Sequence, residues 1–187
     1  MTPSAVLDAC VLYPAPLRDL LLRLASEHLF DPRWSDDILR EFVDNLLKDR
    51  PDLDAGRLRR TQDLMNAAFP SGRVTGYRGR IAGLSLPDPN DRHVLAAAIA
   101  ARASTIVTFN LKDFPVQTLR PFGVAAMHPD RFVLDLLDRD APAVLRGAET
   151  QAAGLRNPPT SLHELLSVLA QQGLTESVKR IGSLLPP

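Results

Sequence analysis

The sequence predicts an α/β protein with a short parallel sheet, followed by a helical C-terminal extension. Short β-branched segments alternate with segments of helical periodicity over most of the 187-residue chain. After about residue 140 helical segments continue, but no further strand pattern occurs. Hydrophobic residues make up 45% of the chain, which is enough to bury a core. We therefore expect one domain at residues 1–138 and a helical extension at residues 139–187.

The first 70 residues contain two predicted strands and three predicted helices. The strands are Ala5–Leu7 and Leu29–Pro32, and the helices are about Leu17–Leu24, Asp36–Lys48 and Asp54–Ala68. The strands are apolar runs too short for a helix, whereas leucines recur at helical spacing in the first helix. Ser35 is a favoured N-cap residue, and the two acidic residues that follow it suit a first helical turn.

The remaining elements alternate in the same way before the helical extension begins. Residues 71–87 contain four glycines and predict a strand followed by a loop. The other predicted elements of the domain are a helix at Asp91–Ala103, strands at Thr105–Phe109 and Val124–Met127, and a helix at Asp130–Leu137. The extension is predicted to contain helices at Ala143–Ala153, Leu162–Gln171 and Thr175–Leu184, with its boundary within residues 138–142.

Several classes of protein and site are excluded by composition and motifs. The single cysteine, Cys10, rules out an intrachain disulfide framework and a cysteine-based zinc site. There is neither a glycine-rich nucleotide-binding loop nor a G-x-S-x-G elbow. No run of about 18 apolar residues occurs and Asp8 interrupts the apolar start, so we expect no membrane span and a cytoplasmic location.

Acidic residues occur where side chains can converge outside a parallel sheet. Asp8 and Asn110 come at the ends of predicted strands, Asp91 begins an apolar helix, and Glu41 lies at the edge of an apolar helical stripe. Each acid taken alone is as well explained as a cap, turn or surface residue. In combination they would repel one another unless a cation joined them. Hard oxygen ligands of this kind suit Mg²⁺ or Mn²⁺, so the sequence predicts a metal site.

Other polar groups near these acids have less specific explanations. His93 follows Asp91 by two residues, but on an apolar helix we expect it to be structural.

Residues 57–80 carry six arginines and one acidic residue, although the whole chain has no net charge. Arginine suits bidentate phosphate contacts. The arginine-rich composition of the chain weakens this indication, so an ordinary solvated face is the alternative.

Four segments, in order, resemble the PIN-domain ribonucleases, most closely the VapC-type toxins of bacterial toxin–antitoxin pairs. The segments are Leu7-Asp8-Ala-Cys-Val-Leu12, Glu41, Asp91-Arg-His-Val-Leu-Ala-Ala-Ala98 and Ile106-Val-Thr-Phe-Asn-Leu-Lys-Asp-Phe114. The resemblance covers about residues 4–130, and the helical tail is similar to the extension of a VapC subgroup. It implies an α/β/α sandwich, an endoribonuclease dependent on Mg²⁺ or Mn²⁺, and inhibition by a cognate antitoxin. A homodimer is left open.

The resemblance also implies roles for individual residues. Asp8, Glu41 and Asp91 match the family's catalytic and metal-binding acids. Many members carry a fourth acid where this chain has Asn110, so Asp113 and Asp88 are further candidates for metal binding. From the residues themselves rather than the resemblance, we expect Asn110 and Thr108 to be auxiliary polar groups and Arg57, Arg60 and Arg73 to contact RNA.

The expected reaction is metal-assisted phosphodiester hydrolysis in structured RNA with an exposed loop, because unstacked bases can be splayed into a site. Two alternatives remain open at this point. One is a PIN-like RNA-binding module whose site has decayed through Asn110, and the other is a DNA-directed nuclease of the same fold.

Overall fold

Five parallel strands form the central sheet of the structure, a computed structural model that describes residues 2–185. They are β1 (Ser4–Leu7), β2 (Asp31–Ser35), β3 (Arg73–Val74), β4 (Thr105–Val107) and β5 (Ala125–Met127). Their order across the sheet is β3-β2-β1-β4-β5, and every neighbouring pair is parallel. The chain therefore runs outwards from β1 first in one direction and then in the other. The predicted α/β fold around a short parallel sheet is confirmed.

The sheet is flanked by helices that connect or follow its strands. They are α1 (Ala9–Leu12), α2 (Ala15–Ser26), α3 (Asp36–Asp49), α4 (Ala55–Ala68), α5 (Arg92–Ala101), α6 (Val116–Leu119), α7 (Pro129–Gly154), α8 (Leu162–Gln171) and α9 (Thr175–Ser183). The apolar helix α5 packs against β1, β2 and β4, while α2 packs against α7. None of the helices within residues 2–185 is long and apolar enough to cross a membrane.

Helix starts follow the capping residues that the sequence contains. The Ser35 hydroxyl accepts a hydrogen bond from the Ile38 N–H at 3.2 Å and begins α3 as predicted. Asp54 caps α4 in the same way, accepting from the Gly56 N–H at 2.6 Å. These caps place the helix starts within one residue of the positions that the sequence predicts.

The second strand begins two residues later than the sequence predicts. Leu29 and Phe30 are buried, but they follow a turn in which His28 has a positive φ of 60°. Strand pairing starts at Asp31, opposite Ser4 of β1. The apolar run therefore identifies the buried residues just before the strand, and the residues that pair with β1 come directly after it.

As the sequence predicts, two helical segments meet near residue 140, but only a bend separates them and together they form α7. The bend is at Asp140, whose φ of −155° and ψ of 80° are not helical. Pro142 follows, and the Asp140 carboxylate accepts a hydrogen bond from the Ala143 N–H at 2.9 Å, as an N-cap residue would. The predicted division between residues 138 and 139 lies at this bend and stays a prediction.

The C-terminal helices are joined to the rest of the molecule by buried polar contacts. Asp130, in the first turn of α7, is only 8% exposed and caps the start of α9. Its carboxylate accepts hydrogen bonds from the Ser177 hydroxyl at 2.6 Å, the Ser177 N–H at 2.9 Å and the Glu176 N–H at 3.0 Å. In the α8–α9 turn, Gly173 has a φ of +96°, and a Cβ there would lie 3.1 Å from the Phe109 ring. The extension therefore reaches the end of β4.

Candidate active site

Asp8 lies at the carboxyl end of β1 and is almost fully buried. One carboxylate oxygen accepts the Ala9 N–H at 2.7 Å, and the other accepts the Thr108 hydroxyl at 2.7 Å and the Cys10 thiol at 3.1 Å. Burial raises the pKa of Asp8, these hydrogen bonds oppose the rise, and the charge of Glu41 adds to it. The contacts fix the orientation of the carboxylate. They also connect the ends of β1 and β4, which are neighbouring strands.

The position of Asp8 follows from the topology of the sheet. The strand order reverses between β1 and β4, and ligand sites in open parallel sheets lie beyond the carboxyl ends of strands at such a switch point. Thr108 is fully buried directly after β4, so its hydroxyl reaches Asp8 across this point. Burial raises the pKa of the Cys10 thiol to about 12, which keeps the thiol neutral. Thr108 and Cys10 therefore both lie against the Asp8 carboxylate, and the auxiliary role of Thr108 stays a prediction.

Asp91, just before α5, lies among the other predicted acids. Its pKa is raised to about 7, first by burial and then by the charges of four further carboxylates. These belong to Asp8, Asp88, Asp113 and Glu41. The structure thus brings all five predicted acids into one electrostatic cluster, which we call the acid cluster.

The members of the acid cluster differ in exposure and in hydrogen bonding. The Glu41 side chain is 40% exposed and contacts the ring of His93, with 3.2 Å between Oε2 and Nε2. Asp88 accepts the Asn90 N–H at 2.8 Å and caps a short 3-10 turn at Pro89–Asp91. Asp113 ends another 3-10 turn and is partly buried. Glu41 is therefore at the edge of the core, as its position in the helical stripe predicts.

Asn110 occupies a different position from the acids. Its side chain is exposed, and its backbone N–H donates to the Thr108 hydroxyl at 3.0 Å. Asp113, three residues later, acts electrostatically on Asp91. Asp113 and Asp88 both lie close enough to act electrostatically on Asp91, and their role as a fourth acid stays a prediction.

The chemistry of the acid cluster fits a divalent cation. Carboxylate oxygens are the ligands that Mg²⁺ and Mn²⁺ prefer, and a cation would offset the repulsion that raises the pKa of Asp91. Within residues 2–185, however, no three His, Cys, Asp or Glu side chains are already arranged closely enough to hold a metal ion. At least one carboxylate would therefore have to move for three of them to reach the same cation.

The three arginines predicted to contact RNA lie outside the acid cluster. Arg57 and Arg60 are exposed on α4. Arg73, in β3, donates two hydrogen bonds to Asp36, at 2.7 and 2.8 Å. Its guanidinium is already paired, so Arg57 and Arg60 are the more available of the three.

The raised pKa of Asp91 gives a testable pH dependence in metal-free protein. Between about pH 3.8 and pH 7 the folded protein holds a proton on Asp91 that the unfolded chain has lost. The contribution of Asp91 to stability therefore falls as the pH rises through this range. We expect the unfolding temperature of Asp91→Asn, compared with that of the parent, to rise by about 2–4 °C from pH 5 to pH 8. This size allows for solvent screening of the charges. Thermal unfolding in EDTA measures this difference, and a difference that did not change with pH would contradict it.

Comparison with known proteins matches both parts of the chain. The model of the PIN domain family matches residues 4–112, and that of the VapC50 C-terminal domain matches residues 129–183. A protein of Mycobacterium tuberculosis (strain ATCC 25618 / H37Rv), named "Putative ribonuclease VapC50", is 40% identical over 111 residues. This alignment covers 57% of the chain and 65% of the relative, just under two thirds of its length. No solved structure matches the chain.

The family match includes the elements that carry Asp8, Glu41 and Asp91, and it covers more than half of the chain. The second match begins at the first residue of α7 and ends at the last residue of α9. The resemblance stated from the sequence is therefore confirmed: the chain belongs to the PIN-domain family, is of the VapC type and carries the C-terminal extension of that type.

Proposed function

We propose that the protein is a metal-dependent endoribonuclease, the toxin of a type II toxin–antitoxin system, that hydrolyses phosphodiester bonds in structured RNA. The observation that carries the proposal is the acid cluster at the switch point between β1 and β4. There, the charges of four other carboxylates add to burial in raising the pKa of Asp91, a repulsion that a bound cation would relieve. The family and the name of the 40% identical relative support RNA as the substrate.

Individual residues of the chain would have distinct tasks in this reaction. Asp8 is held in one orientation by three donors, so it would be the fixed ligand of a Mg²⁺ or Mn²⁺ ion. Asp91 and Glu41 would complete the ligand set from two different helical segments. When bound, the cation neutralises charge on the phosphate and lowers the pKa of an attacking water.

A deprotonated Asp91 is required for this ligand set. Because its pKa is raised to about 7 without a cation, a substantial share of the molecules carry a proton there at neutral pH. Cation binding would displace that proton. Thr108 would hold the carboxylate of Asp8 in place throughout.

A cleavage assay separates the proposal from its two alternatives. The purified protein is incubated with a stem-loop RNA and with single-stranded DNA of the same sequence, with Mg²⁺, with Mn²⁺ or with EDTA. We expect internal cleavage of the RNA that requires the cation. Cleavage of DNA alone would favour the DNA-directed nuclease, and RNA binding without cleavage would favour the non-catalytic module.

Arg57 and Arg60 are proposed to bind the RNA backbone. They are exposed and three residues apart on α4, so they lie on one helix face. The test uses an inactive Asp8→Asn background and a plot of the logarithm of RNA affinity against the logarithm of salt concentration. In that background, Arg57→Glu/Arg60→Glu should make the slope of this plot shallower by about 0.7 for each phosphate that the variant no longer neutralises. RNA affinity across a salt series measures the slope.

The matched control for this pair is Arg102→Glu/Arg139→Glu, which makes the same change in charge at two exposed arginines elsewhere. The control should lower affinity less and leave the slope closer to that of the parent. Equal slopes for both double variants would show that Arg57 and Arg60 are an ordinary solvated face.

A cognate antitoxin is proposed as the protein partner, as the VapC type implies. If a small protein is encoded beside this one, adding it to the cleavage assay at an equal molar amount should stop RNA cleavage. Continued cleavage in the presence of a stable complex would contradict the antitoxin role.

A further inference from the structure

A hydrogen bond between His93 and Glu41 joins two helices at the edge of the acid cluster. His93 lies on α5 and its side chain is 16% exposed, whereas Glu41 lies on α3 and is 40% exposed. The Nε2 atom of His93 is 3.2 Å from Oε2 of Glu41. The position of His93 on an apolar helix indicates a structural residue, but its ring faces a carboxylate that the proposed function requires.

The surroundings of the ring determine which of its nitrogens donates. Nδ1 of His93 is buried and has no hydrogen-bond partner among the described residues. A proton on Nδ1 would leave a buried N–H group without an acceptor, which is costly. A neutral imidazole has one donor and one acceptor, so the geometry assigns the proton to Nε2, which donates to Glu41.

Glu41 needs such a partner more than Asp8 does. Asp8 is buried and accepts three hydrogen bonds, but Glu41 is a longer side chain on a partly exposed helix face. The neighbouring cation on the same helix, Arg40, pairs with Asp37. His93 is thus the partner that the structure gives to the Glu41 carboxylate, and it restricts rotation of that carboxylate into solvent.

We propose that His93 is a positioning residue that holds Glu41 ready to bind a divalent cation. The inference rests on the proposed function, because it assigns His93 a role at the same site. Neighbours that orient a metal ligand through hydrogen bonds contribute to metal affinity without touching the metal. His93 then acts through Glu41 alone, and the effect of changing His93 must disappear when Glu41 is absent.

The test uses two substitutions of His93 and measures binding of Mn²⁺ without RNA. His93→Leu removes the donor and also the unpartnered Nδ1, so it should leave the unfolding temperature unchanged or raise it. We expect it to weaken Mn²⁺ binding about 10-fold. His93→Gln can place an amide N–H near the position of Nε2, and we expect it to restore most of the lost affinity. The EPR signal of free Mn²⁺ gives the affinities.

A double-mutant cycle with Glu41→Ala tests whether His93 acts through Glu41. In that background, His93→Leu should cause no further loss of Mn²⁺ affinity. The proposal is overturned if His93→Leu binds Mn²⁺ as tightly as the parent, if His93→Gln is as weak as His93→Leu, or if the loss persists without Glu41. In each of these cases the parent still binds Mn²⁺ and the proposed function stands. A parent that binds no Mn²⁺ would overturn both proposals.

Discussion

Asp8→Asn is expected to lower the rate of RNA cleavage by on the order of 10³-fold, because it removes the fixed charge of the acid cluster. The substitution is nearly isosteric. The amide oxygen can still accept the Ala9 N–H, and the amide NH2 can donate to the Thr108 hydroxyl. The fold should therefore persist while the chemical step is lost. The measurement is the single-turnover rate at saturating Mg²⁺, together with the unfolding temperature of the variant.

Asp31→Asn is the matched control for this prediction. Asp31 is also an aspartate of the sheet, but it is exposed and lies at the start of β2, at the opposite edge from Asp8. The Asp31→Asn variant should cleave RNA at the rate of the parent. If Asp8→Asn also cleaved at the parental rate, the assignment of the metal site to Asp8 would be wrong.

Asp130→Ala is expected to lower the free energy of unfolding by about 2–3 kcal/mol, the largest effect on stability that we predict. The substitution leaves three donors at the start of α9 without their acceptor, namely two backbone N–H groups and the Ser177 hydroxyl. These groups are buried or partly buried, so water replaces the carboxylate only in part. Urea denaturation of both proteins at pH 7 measures the difference.

Asp138→Ala separates the effect of burial from that of charge. Asp138 also joins α7 to α9, through an ion pair with Arg180, but both side chains are about half exposed. Exposed ion pairs contribute little to stability, so this variant should lose at most about 1 kcal/mol. Equal losses for the two variants would contradict the prediction that the cap at Asp130 is the main connection between these helices.

The same cap should weaken in acid. Burial raises the pKa of Asp130, but the hydrogen bonds from Ser177 and Glu176 outweigh it and leave the pKa below its ordinary value of 3.8. The stability that the carboxylate contributes is therefore fully present above the pKa of the unfolded chain and is lost as the pH falls through the lower folded value. The difference between Asp130→Ala and the parent should accordingly shrink below about pH 4.

The sheet and the acids were predictable because their signals are local. Each strand is an apolar run between turn residues. Ser35 and Asp54 are favoured N-cap residues, and each indicates where the helix that it caps begins. The position of Asp8 was predictable because a residue directly after a buried strand lies at the carboxyl edge of a parallel sheet. The bend in α7 had a local signal in Pro142, although the helix continues beyond it.

Contacts between distant segments could not be predicted in the same way. The pairing of His93 with Glu41 depends on how closely α5 approaches α3, and no periodicity in either helix encodes that distance. The cap that Asp130 provides joins residues 47 positions apart. In the sequence, Asp130 is an ordinary first-turn acid. Only the packing of α9 against α7 shows that it serves the start of a different helix.

The hydrogen bond between Thr108 and Asp8 spans 100 positions of the chain, because β1 and β4 are neighbours in the sheet. During synthesis, Asp8 leaves the ribosome long before its partner does, and the intervening chain must fold back before the two can meet. A nascent chain therefore carries an incomplete nuclease centre until most of the domain has been translated. Under the proposed function, a fragment that ends before Thr108 would contain Asp8 without the hydroxyl that fixes the orientation of its carboxylate.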